Sequence, residues 1–512
     1  MTLWSVAQGR VTPRWGARTL AAPLAALALA GLATLPGGVA AEAAPPAAAA
    51  QAERPLTVMT SNIWYGGVQV DFDQVARAVR RAEADIVGVQ EPEGNLRRLA
   101  AATGLAYVDD SLHLISRYPL FAVERGGVRF AYAALGLDQV VAVGNVHLTC
   151  CPYGPEEAAS GKGPRRVLAL ERSLRLPEIK PQIGALGPVS RRGTPTFLTG
   201  DFNSPSHLDW TEPVHLARPE HVPFALDWPV SRALARAGWH DSYREAHPDP
   251  VANPGYTWTP GTPPPRIRRK ETLDRIDWVM AAGPARTLAS RLVGDAGGQD
   301  VDVGLDPYGS DHRAVASTFA VTPGRAPALV SAEPRVVTRG ERVSVRYTRT
   351  SGGAGRKIAV MRGGRPLMSI PIYDASDHLA SYFGTRTLRP GAYRAALLSG
   401  DGSVEASYRF WIEAPGTRPS IRATQASYGR GEPIGLRFGG APANKLDWIG
   451  IYRAGDDDLY NYFGFKYTAA RPSGRLSFTK ADLGTLDPGR YRATLMLDDG
   501  YSVLAETSFR VR

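Results

Sequence analysis

A chain of 512 residues exceeds what one hydrophobic core organises, so roughly two to four domains are expected. With 44% hydrophobic and 21% charged residues it is not a disordered chain, and two cysteines exclude a disulfide-stapled scaffold. The formal net charge of +11 favours polyanionic partners such as nucleic acid, anionic lipid or cell-wall phosphate.

At the N-terminus, Arg10, Arg14 and Arg18 precede the apolar run "LAAPLAALALAGLATL" (20–35), with small residues near Ala41 and Ala43. This is the layout of a signal peptide over residues 1–42, which implies a secreted protein. The run is short for a membrane span and carries Pro23 and Gly31. An Ala/Pro-rich linker follows at 43–54. Then a strand–helix alternation begins. "LTVMT" (56–60) predicts a strand, and "FDQVARAVRRA" (72–82) sets Phe72, Val75 and Val79 on one helical face. "DIVGVQE" (85–91) predicts a short buried strand, and "NLRRLAAATG" a helix closed by Gly104. Further strands are expected at "HLISR", "VVAVGNVHL", "PTFLTGD", "RIDWVMA" and "AVASTFAV". A long amphipathic stretch over 165–183 lies between two of them, with an interruption at Pro177. Mixed strands and helices over 55–322 predict a layered α/β domain.

Two local features have bland readings. Cys150 and Cys151 are adjacent, a spacing that rarely bridges, so they read as a small apolar pair beside a site. The basic run "RIRRK" (266–270) reads as a solvated loop able to contact phosphate.

After residue 322 the texture changes to alternation and turn residues, and an internal repeat emerges. "TRGERVSVRY" (338–347) recurs as "GRGEPIGLRF" (429–438), and "RPGAYRAALLSGDG" (389–402) recurs as "DPGRYRATLMLDDG" (487–500). Two all-β, Ig-like sandwiches are therefore expected, at 323–415 and 416–512. Trp448 in "DWIGIY" reads as a buried sandwich tryptophan, and the first repeat replaces that core with "RKIAVM".

Several polar residues stand at predicted strand ends: Asn62, Glu91, Asn145, His147, Asp201, Asn203, Asp274, Asp277, Asp311 and His312. Each alone is explained by a turn, a cap or a satisfied core group. Together they point to one edge of a layered domain, where ligands bind. Phosphate-ester hydrolysis needs a cation against the phosphoryl oxygens, a base for water and help for the leaving oxygen. Glu91 with Asn62 offers hard oxygen ligands suited to Mg²⁺. Asp201 can take the water proton while Asn203 orients that water. A carboxylate arriving from another strand, such as Asp277, would fix His312 and keep it protonated. An Asp at the mouth of a buried strand, as in "FLTGDFNSPS" (197–206), is then justified by its chemistry.

The ordered set "VMTSNIW", "DIVGVQE", "LISRYPL", "GNVHL", "TGDFNSPSHLDW", "DRIDWV" and "GSDHRAV" resembles the endonuclease/exonuclease/phosphatase family over about 55–322. The resemblance implies a four-layered α/β/β/α sandwich of the deoxyribonuclease-like type with a divalent metal, Mg²⁺ or else Mn²⁺ or Ca²⁺, at one edge. It implies metal-binding positions at Asn62, Glu91 and Asp311, and catalytic positions at His147, Asp201, Asn203, Asp277 and His312. Arg117 and His207, which lie within those motifs, are candidate substrate contacts. So are the aromatics Tyr256 and Trp258, which can stack on a base or sugar. The second C-terminal repeat is similar to SKICH-type accessory modules.

The expectation is a secreted, monomeric, metal-dependent phosphoesterase that cleaves phosphodiesters by in-line attack of water, with a nuclease-type substrate favoured on charge. The alternatives are a sphingomyelinase-like lipid phosphodiesterase, an inositol-phosphate phosphatase, or a decayed catalytic domain serving as an extracellular binding protein. Retention of the whole polar set argues against decay.

Overall fold

The computed structural model describes residues 52–261, 264, 272–348, 355–372 and 380–512. The predicted signal segment 1–42 and the basic run 266–270 lie outside the described residues.

The strand predicted at "LTVMT" is the centre of β1 (Arg54–Asn62), and the apolar run behind Asp85 is β2 (Ile86–Gln90). The two are parallel, with Asn62 opposite Gln90. The crossover between them carries the helix Phe72–Arg81, whose N-terminus is capped by the Asp71 carboxylate accepting from Asp73 N. After β2 comes the helix Leu96–Thr103, closed by Gly104 at φ 77°, a left-handed position that favours glycine. Then follow β3 (Tyr107–Asp109), β4 (Leu114–Ser116), β5 (Leu120–Arg125), β6 (Val128–Gly136) and β7 (Gln139–His147). Beyond the helical region lie β8 (Thr196–Asp201), β9 (His240–Asp241), β10 (Asp277–Ala282), β11 (Ala285–Asp295), β12 (Val301–Leu305), β13 (Ala314–Val321) and β14 (Gly324–Arg325). One sheet runs β12-β11-β13-β1-β2-β4-β3. The other runs β5-β6-β7-β8-β10-β9, with β14 against β7.

Strand alternation sorts the core into layers. In β1 and β2, Val58 and Ile86, together with Val315 and Phe319 of β13, face the opposite sheet, where Phe197 of β8 and Val279 of β10 meet them. Met59 and Val87 face outward onto Val75 and Val79 of the first helix and Leu99 of the second. In β8 and β10, Leu198, Trp278 and Met280 face outward onto Ile179, Leu186, Val230 and Leu234. Those four belong to the helices Arg175–Ser190 and Pro229–Arg236. Helix, sheet, sheet, helix: the architecture is the expected four-layered sandwich.

One boundary differs from expectation. The stretch read as one helix broken at Pro177 is two helices, Pro164–Ser173 and Arg175–Ser190, which meet at Leu174. Pro177 sits in the first turn of the second helix, where its missing N–H would have had no partner.

The C-terminal repeats each build a three-stranded sheet against a five-stranded one, with the same strand order. In the second repeat these are Ser420–Ala423, Ile434–Gly439 and Gly474–Phe478 against a sheet containing Trp448–Arg453, Gly464–Tyr467, Gly489–Met496 and Val503–Val511. Trp448 is buried, and its indole N–H donates to Gly500 O at 3.0 Å.

Candidate active site

Strand register explains how distant residues meet. β7 runs parallel to β8 with His147 opposite Asp201, and β10 runs antiparallel to β8 with Asp277 opposite the same Asp201. Side chains opposite one another in a ladder share a face, so three functional groups line up at one sheet end. The second sheet supplies its own set at the facing end. Asn62 closes β1, Glu91 follows β2, and Asp311-His312 precede β13, which pairs antiparallel with β1. Ser310 Oγ donates to Asn62 O at 2.7 Å and ties these strand ends together.

Asp201 is the hub. It is buried; its Oδ1 accepts from Asn203 N at 2.8 Å and its Oδ2 accepts from Asn62 Nδ2 at 3.2 Å. Two imidazoles flank Oδ2, His147 Nε2 at 3.6 Å and His312 Nε2 at 3.8 Å. The other ring nitrogen of His312 is hydrogen-bonded to Asp277 Oδ2 at 2.9 Å, and the ring packs against Trp258 with centroids 4.7 Å apart. Burial opposes charge on His312, but the Asp277 and Asp201 carboxylates outweigh it and push the ring up to about 10. His147 behaves alike: burial opposes its charge, and Asp499 and Asp201 raise it to about 9. Burial, reinforced by Asp277, raises Asp201, with the two histidines opposing.

The facing carboxylates are Glu91 and Asp311. Glu91 Oε1 accepts from Asn62 Nδ2 at 2.9 Å and Oε2 from Tyr65 N at 3.1 Å. Asp311 is buried with Oδ1 unbonded; burial, opposed by His312 and reinforced by Glu91, pushes it up to about 7. These groups share a cleft of about 270 Å³ lined also by Trp64, Tyr65, Cys150, Cys151, Tyr153 and Trp258. Trp64, Tyr65, Glu91 and Asn203 all hold positive φ, at 53°, 46°, 53° and 47°. Left-handed non-glycine residues gathered round one cleft mark a site where function, not local preference, sets the backbone.

Residues 59–312 match the model of the Endonuclease/Exonuclease/phosphatase family. This domain belongs to that family. Its members are divalent-metal-dependent hydrolases of phosphoester bonds, so the protein is an enzyme of that class. An uncharacterized protein of Caenorhabditis elegans is 28% identical over 258 residues, which covers 45% of this chain and 79% of the relative. A solved family protein from Beutenbergia cavernae is 18% identical, covering 70% of this chain and 100% of its own, with a TM-score of 0.34. An AP endonuclease from Archaeoglobus fulgidus is 16% identical over 52% of this chain and 100% of its own, with a TM-score of 0.31.

The residues fit the metal that the family requires. Asn62, Glu91 and Asp311 present hard oxygens with an unbonded buried carboxylate oxygen among them, the donor set that Mg²⁺ takes. Atoms of Asp201, Asp277 and His312 also come within 4.8 Å of one another. A metal there would have to displace the His312–Asp277 hydrogen bond, so the Glu91 side fits better.

Not every expected site residue reaches the cleft. Arg117 pairs with Asp85 at 3.2 Å, at the opposite end of β2 from Glu91, because β4 runs antiparallel to β2. His207 is held by Ser231 Oγ at 2.9 Å, and Tyr256 is buried against His221; neither lines the cleft. Trp258 does. Asn145 lies inside the sandwich, where its amide bonds Val89 O, Leu112 O and Gln90 Nε2 and so joins the two sheets. Asp274 is buried under the hydroxyl of Tyr153 at 3.0 Å. Cys150 and Cys151 are free thiols on the cleft wall.

The loop carrying those thiols is fastened from beneath. Arg175, fully buried, pairs with Glu171 and donates to Thr149 O, Cys150 O and Pro152 O. Arg175→Ala would leave Glu171 and three carbonyls without their cation. It is expected to cost about 3–5 kcal/mol, read as a lower urea midpoint.

The sequence gives no sign of one further residue at the site. Asp499, from the second C-terminal repeat, lies with Oδ2 3.1 Å from His147 Nδ1.

Proposed function

We propose that this enzyme is an exported, Mg²⁺-dependent phosphodiesterase acting on polyanionic substrates, nucleic acid foremost. What carries the reading is one buried carboxylate, Asp201, between two imidazoles that hold their protons. Asp201 accepts the proton of the attacking water, and Asn203 beside it orients that water. His312, fixed through Nδ1 by Asp277, presents a cationic Nε2 edge to the phosphate, and His147 does so from the other flank. Asn62, Glu91 and Asp311 would hold the divalent ion, which when bound neutralises the phosphoryl oxygens. Trp258 walls the cleft over His312 and offers a face for stacking. Export is supported by the basic–apolar–small pattern of residues 1–42, and a nucleic-acid substrate by the net charge of +11.

Hydrolysis of bis-p-nitrophenyl phosphate with Mg²⁺ and with EDTA tests the class. A panel of duplex DNA, RNA, sphingomyelin vesicles and phosphoinositides then tests the substrate. Strong salt inhibition on DNA supports the nucleic-acid reading, and turnover confined to vesicles overturns it.

The raised histidines also set a stability window. A group that binds its proton more tightly folded than unfolded stabilises fully below its unfolded value, about 6.5 for histidine. That stabilisation is lost as pH rises through the folded values, about 9 for His147 and about 10 for His312. In EDTA, the stability difference between wild type and His147→Gln is therefore expected to shrink from pH 6 to pH 9, as measured by urea unfolding.

A further inference from the structure

The two C-terminal repeats share a fold but differ at one hairpin tip. In the first, the turn joining Gly391–Leu398 to Val404–Glu413 places only Gly402 in the left-handed region (φ 85°). Its exposed Asp401 accepts from Ser399 Oγ and from Ser403 N at 2.9 Å, and so serves its own turn. In the second, Asp498 replaces Gly400 while Asp499 aligns with Asp401, and both are left-handed, at φ 48° and 69°. Two aspartates in a conformation that suits glycine indicate a tip shaped for something outside its own hairpin.

That something is the catalytic domain. Asp498 Oδ1 lies 2.6 Å from His113 Nε2, both side chains buried, and its Oδ2 accepts from Gly94 N at 3.2 Å. A Cβ on Gly500 would sit 2.5 Å from Glu93 Cδ, so the tip and the domain are in close contact. The neighbouring loop adds Lys445, whose ammonium donates to Asn145 O at 2.6 Å. Asp447 in that loop braces the tip by accepting from Asp498 N at 3.2 Å. Its counterpart in the first repeat is Arg356, so that repeat has no carboxylate there. With the tip so held, Asp499 Oδ1 accepts from Tyr467 Oη at 3.3 Å. Its Oδ2 meets His147 Nδ1 at 3.1 Å, at an angle that falls short of a hydrogen bond. The far nitrogen of the same ring faces Asp201.

We infer that the second β-sandwich completes the active site: Asp499 is a positioning residue that holds the His147 imidazole, so that Nε2 is aimed at the phosphate side of the cleft. This rests on the role proposed for His147 above. It also gives the second repeat a part in catalysis. A carboxylate behind a catalytic imidazole acts by fixing ring orientation and charge, and loss of such an outer partner costs about 10–100-fold in activity.

The experiment uses the full chain and bis-p-nitrophenyl phosphate at saturating Mg²⁺. Asp499→Asn keeps the shape and removes the charge; Asp401→Ala is the control in the equivalent turn. Asp499→Asn is expected to lower kcat at least 10-fold with KM within 2-fold. The protein stays folded with a lower melting temperature near neutral pH, because His147 loses the carboxylate that raises it. Asp401→Ala is expected to match wild type. In a His147→Ala background, Asp499→Asn should cost nothing more. An active wild type with an equally active Asp499→Asn overturns the inference and leaves the proposed function standing, as does the same fold-loss in both backgrounds. A wild type with no Mg²⁺-dependent turnover sinks the proposed function instead. The positioning contact is then judged without turnover, from the nitrogen shifts of the His147 ring, assigned by comparison with His147→Gln. A change on Asp499→Asn supports the contact, and identical shifts overturn it.

Discussion

Asp201→Asn is expected to lower kcat on bis-p-nitrophenyl phosphate by about 10³-fold while the protein stays folded. The substitution is isosteric, and Asn203 N can still donate to the retained Oδ1. What is lost is the carboxylate that, flanked by two imidazoles, is proposed to take the proton from water. The stability side of the prediction is independent. Burial and the nearby Asp277 disfavour the Asp201 carboxylate in the metal-free fold, so neutralising it relieves an unfavourable charge. The melting temperature in EDTA is therefore expected to stay level or to rise, the usual trade between a strained catalytic group and stability. His312→Ala should show a kcat loss of similar order. Either variant turning over like wild type would remove these residues from the mechanism.

The parts of this site that could be read from the sequence are those carried by short-range rules. Each acid or imidazole stood at the end of an apolar run, and strand ends in a layered domain gather at an edge. That logic reached Asn62, Glu91, His147, Asp201, Asp277 and His312, and the register supplies the reason: His147 and Asp277 are the two ladder partners of Asp201. Arg117 fails by the same geometry, since "LISRYPL" puts it at the far end of an antiparallel neighbour. His207 and Tyr256 lie in loops, where no periodicity tells which way a side chain points. The strands β5, β6, β11 and β12 were not expected from pattern alone. The Ala-rich β6 and the partly exposed β11 lack the strong alternation of β13. Asp499 was invisible for a different reason. Its partner, His147, is far away in the chain, its own position is Asp in both repeats, and the local trace is a Gly-to-Asp change at its neighbour Asp498. A module docking on a catalytic domain is a tertiary fact that neither composition nor period records.

Glu91→Gln should act on the ion rather than on the proton. The Glu91 carboxylate is held at both oxygens, by Asn62 Nδ2 and Tyr65 N, on a backbone at φ 53°. That arrangement fixes the direction of a negative charge which, without a bound cation, repels Asp311 and Glu93 and is offset in part by His147. In EDTA the substitution is thus expected to be neutral or slightly stabilising. With Mg²⁺ the order reverses. Wild type gains stability as the ion binds the native state, by an amount that grows with the ratio of free ion to Kd. Glu91→Gln should lose most of that gain, and the Mg²⁺ concentration for half-maximal turnover should rise by at least about 10-fold. Calorimetric titration with Mn²⁺ reads the same loss without substrate. If the melting shift and the metal titration match wild type, the cation is held elsewhere, and the Asp201–Asp277–His312 cluster becomes its next location.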